Sequence, residues 1–417
     1  MKTFLIHTFG CKVNQYDTEE LRRFLLSCGL KESKSGEVDF SFVNTCTVTH
    51  LADRKARQRI RHLAGVSEKV IVTGCGVRNP ESFTGLFDNG KIVFLDNKKD
   101  DFKVRLKEIL NIDFLKEIKF NQSRSRAFVK VQDGCDEFCT YCIVPYVRGV
   151  PASRSLDDVL VEVLRLEESG FKEIVITGVN LGLYGADLRE KLNLKSLLEA
   201  ICNSTGIERV RLSSIEVNHI DNELIDFIKA HPRICPHFHI PLQHASDRIL
   251  ASMKRPYNLK EYDITIKKII SKIPGAAVST DILVGFPGEE DKDYRILYDY
   301  IKSSPFSRLH VFKYSPRPFT EAGKMKNRVP EQVKSLRSSE LLELAQRKLN
   351  DYNMSFAGTV MDILVEGAVH KTGSLQGYTP NYIQVLVKKD KGLINKIISV
   401  KLYREDGIIY GRIVNGQ

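Results

Sequence analysis

The sequence has 417 residues, of which 42% are hydrophobic and 28% charged, and it carries a formal net charge of +11. No apolar run approaches the roughly 18 residues of a membrane span and the N-terminus is too short and polar for a signal peptide, so we expect a cytoplasmic globular protein of two or three domains. The positive charge favours an anionic partner such as nucleic acid. Structural disulfides are rare in the cytoplasm, so the nine cysteines indicate metal binding or catalysis.

Residues 1–98 alternate between strand-like and helix-like segments. The strand-like ones are TFLIHTF, DFSFVNT and KVIVTG, and the helix-like ones are residues 17–27 and LADRKARQRIRHL. This alternation predicts an α/β domain built on a parallel sheet with crossover helices. Residues 99–125 are charged and weakly patterned, and they are predicted to form a linker.

The alternation resumes in a second predicted domain, residues 126–353. Its strand-like segments are AFVKVQ, EIVITG, RVRLSS, HFHIPL, AAVSTDILVG and RLHVFKYS. Six β/α units predict a full or partial (β/α) barrel, which is followed by a long helix over 330–356. Residues 354–417 consist of short strand-like segments separated by glycine, lysine and aspartate, a pattern typical of a small β-barrel.

The segment VQDGCDEFCTYCIVPYVRG follows the first strand of the predicted barrel. It places Cys135, Cys139 and Cys142 in a C-x3-C-x2-C array. Three thiolates on one loop can hold three corners of an iron–sulfur cubane and leave the fourth iron without a protein ligand. Structural zinc is the alternative, but zinc requires four ligands, and no second pair follows at a suitable distance. The array therefore favours iron–sulfur over zinc.

Three further cysteines each follow a predicted strand of the N-terminal domain. Cys11 follows TFLIHTF, Cys46 follows DFSFVNT and Cys75 follows KVIVTG. Because the carboxyl ends of parallel strands share one edge of a sheet, these thiols are expected to converge on a second cluster. The alternative is that each is a small buried hydrophobe, which is the reading we adopt for the remaining cysteines, Cys28, Cys202 and Cys235.

The C-x3-C-x-aromatic-C array, with Tyr141 as its aromatic residue, resembles that of the radical S-adenosylmethionine (SAM) enzymes. The chain as a whole resembles the methylthiotransferases of that superfamily, in GCKVNQ, NTC and TGC around the N-terminal cysteines and in RLSSIE, HIPLQ and TDILVGFPGE. The C-terminal segment, notably GYTPNYIQV, resembles a TRAM domain. Two positions depart from the family pattern, the HAS that contains Ala245 and Phe319 before Thr320.

The resemblance implies a set of cofactors and the residues that hold them. Cys135, Cys139 and Cys142 are expected to bind a 4Fe–4S cluster whose open iron holds SAM, and Cys11, Cys46 and Cys75 an auxiliary 4Fe–4S cluster that carries the transferable sulfur. The predicted SAM contacts are Gly178, Asn180, Ser213 and Glu216, with a solvated loop acid as the alternative for Glu216. An electron cleaves SAM to a radical that removes hydrogen from an unreactive carbon, and the family then attaches a methylthio group there. The expected electron donor is of the reduced flavodoxin or ferredoxin type.

RNA is the expected partner. Arg54, Arg57 and Arg61 lie on the helix-like LADRKARQRIRHL, where a charged exposed face is the default and phosphate binding the functional alternative. Within the family, the substrate is tRNA bearing N6-threonylcarbamoyladenosine, tRNA bearing N6-isopentenyladenosine, or an aspartate of a ribosomal protein. GCKVNQYD resembles the threonylcarbamoyl subgroup, which predicts modification of that nucleoside at position 37, next to the anticodon. The rival from another class is a non-catalytic metal- and RNA-binding protein.

Overall fold

The structure is a computed structural model that describes residues 1–86, 90–115 and 125–414. Among these residues, no helix is both long and apolar enough to cross a membrane. They form two compact units: the first contains residues 1–86, 90–115, 133–151 and 315–324, and the second contains 125–132, 152–314 and 325–414.

The first unit is built on a parallel sheet of five strands in the order β2-β1-β3-β4-β5. The strands are β1 (Thr3–Thr8), β2 (Lys31–Glu32), β3 (Val38–Thr45), β4 (Ser67–Gly74) and β5 (Ile92–Phe94). Its first three helices are α1 (Lys12–Ser27), α2 (His50–Ala64) and α3 (Phe102–Leu110). The predicted α/β domain with crossover helices is confirmed.

Alternation along the central strands explains why helices cover both faces of this sheet. In β3, Phe42 belongs to a buried cluster with Leu25 of α1, while the adjacent Val43 belongs to another with Ile60 of α2. Successive side chains of a strand point to opposite faces, so each face carries its own apolar layer. Thr49 caps α2 by accepting a hydrogen bond from the Ala52 backbone N–H.

The segment 99–125, which the sequence predicts to be a linker, includes a helix. It contains α3, whose Leu106 and Leu110 are fully buried in the cluster that also contains Leu25. Phe102, Leu106 and Leu110 recur every four residues between charged residues, and this spacing places them on one face of a helix. Residues 116–124 of the segment lie outside the described residues.

The chain from residue 126 to 354 alternates between strands and helices. Its strands are β6 (Arg126–Lys130), β7 (Gln132–Asp133), β8 (Ala152–Ser153), β9 (Glu173–Thr177), β10 (Arg209–Leu212), β11 (His237–His239), β12 (Ala277–Val284) and β13 (Arg308–Lys313). Its helices are α4 (Val144–Arg148), α5 (Leu156–Glu168), α6 (Leu194–Ser204), α7 (Asn222–Ala230), α8 (Asp247–Ser252), α9 (Leu259–Lys272), α10 (Asp291–Ser303), α11 (Glu321–Lys324) and α12 (Glu331–Met354). The helices α4 and α11 belong to the first unit.

Six of these strands lie side by side in chain order and run parallel, namely β6, β9, β10, β11, β12 and β13. Parallel bridges at Val210↔Ile234 and Ser214↔His239 connect β10 to the next strand. Neighbouring strands that follow the chain order, each with a crossover connection, make a partial (β/α) barrel, as predicted.

The second unit ends in a small closed barrel in the order β14-β15-β16-β18-β17. Its strands are β14 (Val360–Val369), β15 (Leu375–Tyr378), β16 (Gln384–Val387), β17 (Ile397–Glu405) and β18 (Ile408–Ile413). β17 pairs with β14 and closes the barrel around a core that includes Ile363, Val385 and Leu402. The predicted β-barrel is confirmed, with β15 as a strand that the sequence did not indicate.

A buried ionic network connects the two barrels of the second unit. Glu173, at the start of β9, is fully buried, and Arg211 Nε donates to its Oε1 at 2.7 Å. The same guanidinium donates through Nη1 to the Pro380 carbonyl at 2.7 Å and through Nη2 to the Thr379 carbonyl at 3.2 Å. Arg209 Nη1 donates to the Tyr378 carbonyl at 2.9 Å. The turn after β15 is thus held by arginines of β10.

Candidate functional site

Three cysteines of the first unit lie at one edge of its sheet. Cys11 immediately precedes α1, Cys46 follows β3 and Cys75 follows β4. β1, β3 and β4 are parallel neighbours, so their carboxyl ends meet at this edge. A Cβ at Gly10 (φ +104°) would lie 2.7 Å from Cβ and 3.1 Å from Sγ of Cys46, so the backbone next to Cys11 runs directly against Cys46. The three cysteines therefore follow neighbouring strand ends at one sheet edge, and their role as one ligand set stays a prediction.

The environment of Cys46 and Cys75 favours the protonated form of both thiols. Burial raises the pKa of Cys46 to about 12, and the Cys75 and Cys11 thiols add to the rise. Burial also raises the pKa of Cys75, while the Arg148 guanidinium opposes that rise. Since the thiolate is the form that binds metal, loading of this site releases protons.

A buried arginine contacts one of the three thiols. Arg148, only 7% exposed, donates from Nε to Cys75 Sγ at 3.1 Å. Its Nη1 donates to both carboxylate oxygens of Asp133, at 2.9 and 3.1 Å, and its Nη2 donates to Asn14 Oδ1 and, at 3.3 Å, to Asp17. Burial alone would lower the pKa of Arg148, but its anionic neighbours raise it well above the ordinary range. A permanent positive charge therefore lies beside a predicted cluster ligand.

The second set of cysteines lies on a loop that closes on itself. The Cys135 backbone N–H donates to the Gly149 carbonyl at 2.9 Å, and the Cys142 backbone N–H donates to the Cys139 carbonyl at 2.9 Å. A Cβ at Gly134 (φ +73°) would lie 2.6 Å from the Gly149 oxygen, so glycine is required where the two ends of the loop meet. Cys139 is buried, whereas Cys135 and Cys142 are partly exposed.

The cysteine loop belongs to the same compact unit as the N-terminal sheet. Cys75 forms a buried cluster with Ile143 and Val147, which follow the array in sequence. The sequence instead predicts this loop within the domain 126–353. The domain boundary stays a prediction, while the packing of the loop follows the surface against which its side chains lie.

Each predicted set has three cysteines, a number that would leave one iron of a cubane without a protein ligand. All nine cysteines lie in the described ranges, and none forms a disulfide. Within residues 1–86, 90–115 and 125–414, no three His, Cys, Asp or Glu side chains are grouped to hold a single metal ion. In an iron–sulfur cubane each thiolate binds a different iron, and hydrogen bonds to the sulfurs adjust the cluster. The Arg148 donor at Cys75 would be a contact of that kind with Cys75 as a cluster ligand.

The turn after β9, in the second unit, carries two predicted SAM contacts. Gln132 Oε1 accepts hydrogen bonds from the backbone N–H groups of Val179 and Asn180, both at 3.0 Å, and a Cβ at Gly178 would lie 3.0 Å from the same oxygen. Asn180 is buried and its Oδ1 accepts from the Gly182 N–H at 3.1 Å. Its Nδ2 has no hydrogen-bond partner among the described residues. An unsatisfied buried donor costs about 1–3 kcal/mol, so this turn suits a ligand that carries an acceptor.

The other two predicted SAM contacts have protein partners in the same unit. Ser213 is buried, and its Oγ accepts from the Gly178 backbone N–H at 3.4 Å. Glu216 forms an ion pair with the buried Arg255, so it is not the freely solvated loop acid of the alternative reading. The contacts of Gly178, Asn180, Ser213 and Glu216 with SAM remain predictions.

The arginines of α2 differ in how they are engaged. Arg54 is exposed. Arg57 donates from Nη1 to the Ser82 carbonyl at 2.8 Å, and Arg61 donates from Nη2 to the Gly85 carbonyl at 3.3 Å. Two of the three predicted phosphate contacts therefore also hold the loop after β4. The RNA contacts of all three remain predictions.

Sequence reasoning missed three residues of these sites. For Arg148 the sequence does contain a signal, because it is the one charged residue in the stretch IVPYVRG. Asn14 lies within GCKVNQ, and its Nδ2 donates to the Phe9 and Thr45 carbonyls at 2.8 and 2.9 Å. Gln132 carries no local signal, because its partners are 47 and 48 residues further along the chain.

Comparison with known proteins agrees with this architecture. The family described as "Radical SAM superfamily" matches residues 129–301, and "Uncharacterized protein family UPF0004" matches residues 3–93. The chain is 33% identical to the threonylcarbamoyladenosine tRNA methylthiotransferase MtaB of Bacillus subtilis, over 97% of this chain and 94% of the relative. It is 36% identical to the MtaB of Aquifex aeolicus, over 86% of this chain and 91% of the relative.

Relatives with another named substrate are also similar. The tRNA-2-methylthio-N(6)-dimethylallyladenosine synthase of Acetivibrio thermocellus is 34% identical, over 96% of this chain and 88% of the relative. Among solved structures, the radical S-adenosylmethionine methyltransferase TsrM of Kitasatospora setae superposes with a TM-score of 0.57 at 14% identity, covering 77% of each chain. That likeness concerns the fold alone.

Proposed function

This chain belongs to the radical SAM methylthiotransferase family, and we propose that it converts N6-threonylcarbamoyladenosine at position 37 of tRNA into its 2-methylthio derivative. The enzyme uses SAM and two 4Fe–4S clusters. We assign residues 1–98 to the auxiliary-cluster domain, 126–353 to the radical SAM barrel and 354–417 to an RNA-binding barrel. We also assign the supply of electrons to a reduced flavodoxin or ferredoxin.

The observation that carries this proposal is the convergence of Cys11, Cys46 and Cys75 at one sheet edge. A radical SAM enzyme that only cleaves SAM needs one cluster, which the C-x3-C-x2-C array provides. A second set of three thiols supplies a site from which sulfur is transferred. The choice of the threonylcarbamoyl substrate rests on GCKVNQYD and on the MtaB relatives.

The residues of this chain position the cofactors and keep them in place. When bound, the clusters and SAM supply the electron, the radical and the methylthio group, because the C2 hydrogen of the adenine is not acidic enough for a general base. Arg148 and Asn14 hold the Cys75 side chain in place. Gln132 fixes the backbone at residues 179–180, where Asn180 Nδ2, which has no partner among the described residues, would donate to SAM.

Recognition of RNA is assigned to basic residues of both units. In the first unit, Arg54, Arg57 and Arg61 of α2 follow Cys46 in the chain and are proposed to contact phosphates. In the second unit, the C-terminal barrel exposes Lys388, Lys389 and other cations. Phosphate contacts position the RNA without reading its sequence, so the base itself has to be recognised elsewhere.

The cluster assignment is tested by metal content after anaerobic reconstitution. The wild type is expected to hold about eight irons per chain, and the triple variant Cys11→Ala, Cys46→Ala, Cys75→Ala about four, since each cubane has four. The triple variant is expected to cleave SAM without forming a methylthio product. Cys28→Ala and Cys202→Ala, two buried cysteines outside both sets, are matched controls that should retain all the iron. Zinc uptake without iron would support the non-catalytic rival.

The substrate is tested by mass spectrometry of nucleosides from tRNA. A strain that lacks the gene should lose 2-methylthio-N6-threonylcarbamoyladenosine and accumulate its unmethylthiolated precursor. Expression of the wild type should restore the product, and expression of the triple cysteine variant should not. Loss of the methylthio derivative of isopentenyladenosine instead would assign the chain to the other tRNA subgroup.

A further inference from the structure

Three exposed aromatic rings form a cluster in the first unit, which we call the aromatic platform. Phe138, Tyr146 and Phe319 are 47%, 41% and 51% exposed. The Phe138 and Tyr146 rings meet edge to face with centroids 5.8 Å apart, and the Tyr146 and Phe319 rings lie 6.0 Å apart at 32°. Exposure of such rings forfeits the stabilisation that their burial would provide, so a group of three at the surface marks a binding surface.

Two rings of the aromatic platform belong to the cysteine loop. Phe138 lies between Cys135 and Cys139, and Tyr146 lies in α4, shortly after Cys142. A ligand that stacks on these rings is therefore placed beside the loop that is predicted to hold the SAM cluster.

Two of the three rings are carried by strained backbone. Phe138 has φ +45° and Phe319 has φ +69°. Bulky side chains rarely adopt this left-handed region, because their Cβ atoms crowd the backbone there. Strain of this kind persists where surrounding contacts enforce it, and it concentrates at functional sites. Burial does not explain these two positions, since both side chains are about half exposed.

The segment that carries Phe319 is firmly anchored below the exposed ring. Arg317, 3% exposed, donates from Nη2 to Asp53 at 2.6 Å and to Thr47 Oγ1 at 2.7 Å. The Ala322 backbone N–H donates to the Thr140 carbonyl of the cysteine loop at 2.8 Å. These contacts hold the segment 315–324 against both α2 and the cysteine loop, so the platform is already formed before any ligand binds.

The chemistry of the surroundings points to RNA as the ligand. The first residue of α2, His50, donates its backbone N–H to Ser315 Oγ at 3.1 Å, so α2 begins at the segment that carries the platform. One turn further along, α2 exposes Arg54 and Lys55. Exposed aromatic rings beside cations are the combination that binds unpaired nucleotides, in which the bases stack and the phosphates pair with the cations.

We propose that the aromatic platform stacks an unpaired nucleobase of the tRNA anticodon loop, and that Arg54 and Lys55 of α2 contact phosphates of the same loop. This inference rests on the proposed function, because it names the part of the tRNA that the first unit recognises. A stacking contact is lost when the ring is removed, and it requires a base that is free of a complementary partner. Both properties are measurable.

The experiment measures binding of a fluorescently labelled tRNA anticodon stem-loop to the reconstituted full-length enzyme under anaerobic conditions. Phe319→Gly removes the ring and places at φ +69° the residue that tolerates it. We expect a dissociation constant about 5- to 150-fold higher, equivalent to about 1–3 kcal/mol for one stacked base. Phe319→Tyr keeps a ring and should bind like the wild type. Phe114→Gly, at another exposed phenylalanine of the same unit, is the matched control.

A fully base-paired, blunt-ended RNA duplex with the same number of nucleotides distinguishes stacking from phosphate binding. Its affinity should be the same for the wild type and for Phe319→Gly, because it offers no unpaired base. An unchanged stem-loop affinity, or an equal loss for both RNAs, would overturn the inference. A loss of methylthiolation activity in Phe319→Gly that appears only with a flavodoxin-type reductant, and not with dithionite, would also overturn the inference. It would assign the platform to the electron donor.

Two further measurements keep the test decisive. Iron content and melting temperature establish that each variant is folded and loaded, and Tyr146→Leu tests the same stack if Phe319→Gly does not fold. Failure of the wild type itself to bind the stem-loop would count against the proposed function. A wild type that binds the stem-loop, together with an unaffected Phe319→Gly, would reject the aromatic platform alone.

Discussion

Replacement of Glu173 by glutamine tests whether one buried carboxylate holds the two barrels of the second unit together. Glu173 is fully buried, with Arg211 Nε at 2.7 Å and nitrogens of Arg126 and Arg209 at 3.9 and 4.0 Å. Glutamine keeps the shape of the side chain but removes the negative charge. The guanidinium of Arg211, 1% exposed, is then buried without its counter-ion.

The expected cost follows from this geometry. Breaking a buried ion pair by removing one partner costs about 3–5 kcal/mol, because the remaining charge stays desolvated. At about 2 °C per kcal/mol for a unit of this size, Glu173→Gln should lower the melting temperature by about 6–10 °C. The turn at 378–380 should also exchange its amide hydrogens faster, since Arg209 and Arg211 hold its carbonyls.

The pH dependence of this loss has a definite sign. Burial alone would raise the pKa of Glu173, but Arg211 and the neighbouring arginines lower it below its usual value. A carboxyl group with a lowered pKa stabilises the fold above its unfolded pKa, and this stabilisation is lost as the pH falls through the folded pKa. The difference in melting temperature between the wild type and Glu173→Gln should therefore be the same at pH 7 and pH 6, and it should shrink only in acid.

The assay is thermal unfolding of the reconstituted enzyme, followed by circular dichroism or by tyrosine fluorescence, since the chain has no tryptophan. Glu208→Gln is the matched control, because Glu208 pairs with Lys172 at 2.5 Å but is 45% exposed. An exposed pair contributes about 0–1 kcal/mol, so this control should shift the melting temperature by at most about 2 °C. A melting temperature of Glu173→Gln that shifts from the wild-type value by no more than that of the control would refute the reasoning.

Three further predictions concern other parts of the molecule. Arg148→Met should reduce iron content from about eight toward about four per chain, because Cys75 loses the side chain that holds it. Arg148→Lys should retain more iron than Arg148→Met. An iron assay that finds no loss in Arg148→Met contradicts this role of Arg148. Asp53→Asn should speed hydrogen exchange in segment 315–324 and leave exchange in the central strands unchanged, because Arg317 loses its buried partner. Exchange in that segment at the wild-type rate would argue against the Arg317–Asp53 pair as its anchor. Burial lowers the pKa of His244 to about 3, so between that pKa and the ordinary value of 6.5 only the unfolded chain binds this proton. His244 should therefore contribute a loss of stability of about 1.4 kcal/mol for each unit by which the pH falls in that window. His244→Gln should reduce the slope of stability against pH by this amount in denaturant titrations, and equal slopes would contradict the prediction.

Local patterns in the sequence were sufficient for the architecture and for placing three cysteines at strand ends. Strands and helices alternate with a period that side-chain direction imposes, so the parallel sheet and the partial barrel follow from the order of segments. The strand-end positions of Cys11, Cys46 and Cys75 predicted their convergence, because parallel strands end at one edge of a sheet. Two elements were not predicted from the sequence. In α3, charged residues separate the apolar positions, and β15 has only four residues.

Only the tertiary structure decided which distant side chains contact one another. Arg148 reaches Cys75 across 73 residues of chain, and Arg211 reaches the Pro380 carbonyl across 169. It also decided that the cysteine loop packs with the N-terminal sheet and that Phe138, Tyr146 and Phe319 share one surface. The physical reason is that periodicity reports only the direction of a side chain relative to its own element. The partner that compensates a buried charge, or the rings that meet at a surface, depend on how the elements pack in three dimensions.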